Sequence, residues 1–189
     1  MEKVLSLLAE RGLLLVQDKQ LPNVVSLLTG ESVKGSWWSH PRSQLIFDVL
    51  SQLAGHDDVL FVKLLRGKVT LVHRTLWPAL IAAVSRGEPW QLEGLSAAAR
   101  DLLASVTAAR NEVLAAGAHV KELEQRLLVH AHETHTESGR HAMALESWSA
   151  WSKRAGVKPL RSPSKAKEEI ERAVERLGGA ASALPWPSA

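Results

Sequence analysis

The sequence predicts an α+β protein, predominantly α, with three helices and a β-hairpin in its first half and helices in its second. Three observations carry this. Apolar residues recur at helical spacing through residues 2–14 and 41–54. Two apolar runs, 59–65 and 68–74, flank Arg66-Gly67, a pair suited to a two-residue hairpin loop. Beyond residue 95 helical stripes dominate.

The elements follow in order. Val4, Leu5, Leu7, Leu8 and Leu14 lie among Glu2, Lys3, Glu10 and Arg11, an amphipathic helix ended by Gly12. Leu13–Val16 is a short apolar run able to pair as a strand. Pro22 suits the first turn of a second helix, 21–29, closed by Gly30. Glu31–Ser39 reads as a loop carrying Trp37 and Trp38. Pro41 fits the first position of a third helix, on which Leu45, Ile46, Val49, Leu50 and Leu53 form one wide apolar face. Gly55-His56-Asp57-Asp58 breaks that helix.

If the Arg66-Gly67 loop sets the hairpin register, 65 faces 68, 63 faces 70, 61 faces 72 and 59 faces 74. One face then holds Leu60, Val62, Leu64, Val69, Leu71 and His73 and meets the core. The other is basic, with Lys63, Lys68, Thr70 and Arg74 around Phe61 and Val72. Thr75 is placed to cap the next helix. Three helices followed by a hairpin is the order of a winged helix, a helix-turn-helix variant. The loop before the third helix is longer than that motif usually has.

The stretch 86–94, RGEPWQLEG, marks a boundary. Ser96 caps a helix anchored by Leu102, Leu103 and Val106. Val120, Leu123, Leu127, Leu128 and Ala131 form one stripe, and Ala144, Leu145, Trp148, Trp151 and Ala155 another, with Glu137-Ser138-Gly139 between them. Residues 118–155 are therefore expected as an antiparallel helical hairpin. The alternative, a β-hairpin around Ser138-Gly139, would make a second winged helix and an internal repeat. The flanks lack the β-branched residues that favour it. A charged helix, 164–177, carries a narrow stripe of Ala166, Ile170, Ala173, Val174 and Leu177, for docking on the body or on a protein partner. The expected organisation is a winged-helix-like domain over 1–88, a helical domain over 89–178 and a flexible tail over 179–189.

Composition bounds the function. With 189 residues and no cysteine, disulfides, thiolate metal sites and cysteine nucleophiles are excluded. No apolar run reaches the roughly 18 residues of a membrane span, and the N-terminus lacks signal-peptide character. A cytoplasmic protein with no membrane partner is expected. The net charge of +3 permits a nucleic-acid partner without requiring one. Seven tryptophans accompany two phenylalanines and no tyrosine. Walker A, GxGxxG, GxSxG and EF-hand patterns are missing, so no cofactor is expected.

The candidate site residues lie mostly in 35–77. Trp37 and Trp38 suit stacking on bases, and adjacent residues of an extended chain would send one inward and one outward. His40, Pro41 and Arg42 at a helix start suit an anion, with Arg42 able to grip a phosphate with two hydrogen bonds. Lys63, Arg66, Lys68 and Arg74 supply the charge of the hairpin. A lysine such as Lys68 can attack the aldehyde of an abasic site, and His73 can serve as a general base. Lys68, His73 and His40 are thus the catalytic candidates, each with a plainer reading as solvated charge, buried histidine or helix cap. His130, His132, Glu133, His135 and His141 form the one metal cluster the sequence offers, with His132, His135 and His141 as its candidates, but HETH is one residue short of the HExxH spacing.

The strings GSWWSHP, DVLFVKLLRGKVTLVHRTLWPAL and HETHTESGRHAMALESWSAW resemble a family of small bacterial proteins with no assigned activity. More distantly, the alternation of helices with a wing looks like the tandem winged-helix DNA glycosylases of the AlkZ/YcaQ type, without their catalytic signature. That likeness implies DNA as partner and repair of damaged bases, by a glycosylase or AP lyase reaction, as the activity. The rival expectations are a non-catalytic DNA-binding regulator and a protein-interaction module working through the C-terminal helices.

Overall fold

The computed structural model describes residues 1–135 and 141–187, and the side chains of His135 and His141 lie outside that description. The protein is α+β, about half helical, with two small three-stranded antiparallel sheets. The chain forms two compact units, residues 1–77 with 168–184, and residues 78–167 with 185–187.

The first unit begins with α1 (Glu2–Arg11) and β1 (Leu13–Leu15). Gly12 between them is left-handed, with φ 82°, and its N–H closes the helix on Leu8 O. Helix α2 (Val24–Thr29) starts later than the proline suggested, because Asn23 caps it, its side chain accepting from Ser26 N. Trp37–Ser39 form a 3₁₀ turn, and α3 (Ser43–Ala54) follows with Ile46, Val49 and Leu53 buried. Strands β2 (Val59–Leu65) and β3 (Lys68–His73) complete the sheet in the order β1-β3-β2. Arg66 and Gly67 are both left-handed, at φ 51° and 67°, as a tight two-residue turn requires.

The hairpin register corrects an expectation. Leu65 does face Lys68, but a bulge then shifts the pairing to Val62–Thr70, Phe61–Leu71, Leu60–Val72 and Val59–His73. Thr70 holds the bulge, accepting from Leu65 N and donating to Lys68 O. A one-residue slip exchanges faces. Thr70 and Val72, expected on an outer basic face, are fully buried. They lie in the central strand, with β1 paired along its second edge.

Helix α4 (Trp77–Val84) leads into the second unit, whose elements are α5 (Pro89–Leu92), α6 (Ala97–Ala108), β4 (Val113–Ala115), α7 (Ala118–Gln125), β5 (His130–His135), β6 (His141–Glu146) and α8 (Trp148–Arg154). The helical hairpin expected over 118–155 is therefore wrong, since β5 and β6 pair antiparallel within it, while the turn expected at Glu137-Ser138-Gly139 lies outside the described residues. Helix α7 ends where Leu127 turns left-handed, φ 51°, and Leu128 N donates back to Leu123 O. No glycine announces that stop. Pairing with β4 makes strands of residues whose own preference for strand is weak. This sheet runs β4-β6-β5, so in each unit the first strand pairs with the last. Leu95, Ala99, Val106, Val120, Leu123 and Leu145 are among its core residues.

Helix α9 (Pro163–Leu177) buries Ile170, Ala173, Val174 and Leu177. Its expected apolar stripe is thus used within the protein. The expected tail is held over residues 179–187, where Ala183, Leu184 and Trp186 are buried. Trp186 packs near Trp90, with ring centroids 6.0 Å apart. Among the described residues no helix is long and apolar enough to cross a membrane.

Candidate functional site

The site begins with the loop before α3. Ser36 caps the 3₁₀ turn, its hydroxyl accepting from Trp38 N. The turn places both indoles on one side, against the expectation of one inward and one outward. Trp37 and Trp38 stack with centroids 4.0 Å apart and planes 24° apart. Trp37 is half-buried, whereas Trp38 is 61% exposed. Phe47 lies 5.8 Å from the Trp38 ring and, like Leu45, is exposed on α3.

An open cleft of about 510 Å³ lies beside this loop, lined by Trp37, Val33 and Gly35, by Val16–Lys19 at the end of β1, and by Gly67–Val69 at the hairpin tip. Gln17 joins its walls, donating from Nε2 to Val33 O and Gly35 O. Asp18 and Lys68 meet across it, Nζ to Oδ2 at 2.6 Å. Gln20 N and Leu21 N also donate to the Asp18 carboxylate. Burial raises a carboxyl pKa, but here Lys68 and the two backbone N–H groups outweigh it and hold Asp18 at about 2. Lys19 is exposed at the cleft, and Lys34 is exposed between two lining residues.

The other expected residues are scattered. His40 caps the approach to α3, its Nδ1 accepting from Arg42 N and its Nε2 meeting Glu31 at 3.2 Å. The Arg42 guanidinium folds back onto the end of α2, where its Nη1 donates to Leu28 O and Thr29 O, so that nitrogen is already engaged. Lys63 is half-buried in the bulge, and Arg74 pairs with Asp58 at 3.0 Å. Arg66 is exposed, and its backbone N donates to Ala183 O. His73 stands at the far end of β3 from Lys68, about 16 Å away along a strand. Its Nδ1 meets Thr75 Oγ1 and accepts from Thr75 N. It therefore caps the turn itself, in the role expected of Thr75. Burial lowers its pKa, Asp58 opposes the shift, and Arg74 and His56 add to it. Lys68 and His73 thus do not share a site.

Among the metal candidates, His132 Nδ1 lies 3.6 Å from Glu112, and no group of three potential metal ligands occurs among the described residues. His130, the first histidine of the expected cluster, is buried, 3.1 Å from the Glu146 carboxylate, which also receives Arg154. Sequence reasoning missed Asp18, Gln17 and Lys19. An Asp whose partner is 50 residues away leaves no local signal. No protein-family model, curated protein or solved structure matches the chain.

Proposed function

We propose that the protein binds nucleic acid through its first unit, in a winged-helix-like arrangement, and that its cleft takes an unpaired or extruded base of single-stranded or damaged DNA. The observation that carries this is the meeting of Trp37 with Lys68 and Lys19 in one open cleft. An indole offers any base a stacking face, and the Lys19 ammonium attracts the adjoining phosphates. The sheet order β1-β3-β2 and the helices between β1 and β2 suit a wing beside a presented helix.

The presented helix is unusual for that motif. The exposed side chains of α3 include Gln44, Leu45, Phe47, Asp48, Ser51 and Gln52, none of them cationic. This favours stacking on an exposed base over reading of a duplex groove. Recognition is also favoured over chemistry, because Lys68 and His73 stand at opposite ends of β3. A DNA-repair role is read here as damage recognition.

The test is fluorescence anisotropy with a labelled single-stranded oligonucleotide and with duplexes carrying an abasic site or a mismatch. Trp37→Ala is expected to weaken binding about 5- to 150-fold, the worth of one stacked base. Unchanged affinity in that variant, or no binding by the wild type at low salt, refutes the reading. A second reading rests on the exposed group Trp38, Leu45 and Phe47, an apolar surface suited to a protein partner. If Trp38→Ala and Phe47→Ala leave oligonucleotide affinity intact while abolishing a protein complex, that reading gains.

A further inference from the structure

From Ser147 to Lys167 the chain carries six lysines and arginines and no acidic residue. These six exceed the whole net charge of +3, so the rest of the molecule is net negative. The basic character of the protein therefore resides in one segment, which runs through the end of α8, the loop beyond it and the start of α9.

Two of the six are engaged. Arg154 pairs with Glu146, and Lys167 Nζ with Glu88 at 2.6 Å. Lys153, Lys158, Arg161 and Lys165 are exposed, and their charged groups have no acidic partner among the described residues. The segment is ordered by its backbone. Val157 N donates to Ser152 O, Leu160 N to Pro78 O, and Ala166 N to Ser162 O. The Ser162 hydroxyl accepts from Lys165 N. Four unpaired cations thus stand on a tethered strand of chain, so little ordering entropy remains to be lost when an extended anion binds.

We infer that Lys153, Lys158, Arg161 and Lys165 form a second, sequence-independent contact for the phosphate backbone of a nucleic acid. The choice of this polyanion rests on the proposed function of the first unit. The four cations follow one another within thirteen residues of chain, and each phosphate contact they make releases condensed counterions. The cleft would hold a base, and this strip would supply affinity that every sequence shares.

The test uses the full-length protein and measures oligonucleotide affinity between 50 and 200 mM salt. It compares wild type, Trp37→Ala, the combined variant Lys153→Gln, Lys158→Gln, Arg161→Gln and Lys165→Gln, and a charge-keeping variant with Lys153→Arg, Lys158→Arg, Arg161→Lys and Lys165→Arg. All four positions are exposed, so the fold is expected to survive, with circular dichroism as the check. Four phosphate contacts contribute a salt slope of about −3.6, or about 150-fold in affinity across that range. The Gln variant should lose that dependence and the charge-keeping variant should retain it. If wild type and the Gln variant share one slope, the strip is refuted while the cleft stands. If Trp37→Ala is without effect and the Gln variant fails, the cleft is refuted while the strip stands. Absence of oligonucleotide binding by wild type refutes both. Binding only to vesicles of anionic phospholipid assigns the strip to a membrane surface and overturns the inference.

Discussion

Replacing Asp18 by Asn tests the joint between the hairpin tip and the end of β1. The wild-type carboxylate receives Lys68 at 2.6 Å and two backbone N–H groups, and its side chain is only 6% exposed. Its pKa is held at about 2 against an ordinary 3.8. A shift of that size corresponds to about 2.5 kcal/mol at neutral pH. The Lys68 side chain is 44% exposed, so water screens part of the attraction, and Asn keeps an acceptor for the backbone. The expected loss is therefore about 1–2 kcal/mol. Because the folded pKa lies below the unfolded one, the unfolded chain takes up the proton first as pH falls. The contribution is full above the ordinary carboxyl value, about half remains at pH 3, and it is lost through about pH 2. Urea denaturation of both proteins at pH 7 and pH 3 measures the difference. An equal difference at the two pH values, or none at pH 7, refutes the reasoning. The same variant frees the Lys68 ammonium, so any oligonucleotide binding should gain a salt slope of about 0.9.

Other predictions concern the frame. Gln91 is fully buried, with Nε2 donating to Val84 O, Arg126 O and Leu127 O and Oε1 accepting from Glu88 N. Gln91→Ala strands those groups and should cost about 2–3 kcal/mol, and a chemical-denaturation midpoint matching wild type would contradict this. Gly12→Ala places a Cβ 2.7 Å from Leu76 Cδ1 on backbone with φ 82°, so its thermal midpoint should fall by an amount equivalent to at least about 1 kcal/mol. Trp148→Phe removes the indole N–H that meets Leu127 O at 2.7 Å. It should cost about 1–2 kcal/mol in urea, with faster amide exchange at Leu128, whose N–H closes the same turn.

Much of the frame was legible because its signals are local. Gly12 and Gly30 stop their helices as expected, Ser96 caps α6, and Arg66-Gly67 turns the hairpin. The failures are places where distant contacts decide. Leu127 adopts a left-handed backbone that its residue type disfavours, with its carbonyl held by Gln91 and Trp148. Periodicity through Val120, Leu123 and Leu127 therefore ran past the true helix end. Strands β5 and β6 owe their state to pairing rather than propensity. The bulge in β2 depends on a Thr70 hydroxyl across the ladder, so the faces of the hairpin were misread. In the candidate site, the tryptophans and Lys68 were visible as residue types. Their common cleft was not, because Gln17 and Asp18 build it from the loop after β1.

The return of residues 168–184 to the first unit has a consequence for synthesis. On a ribosome, the N-terminal sheet emerges long before the segment that supplies Arg176 O to Arg11 and Ala183 O to Arg66 N. The first unit is thus completed only after the intervening residues 78–167 have been made. A nascent chain stopped at residue 167 would show an unfinished first unit to proteases and chaperones. Closure of the first unit therefore waits on the synthesis of residues 168–184.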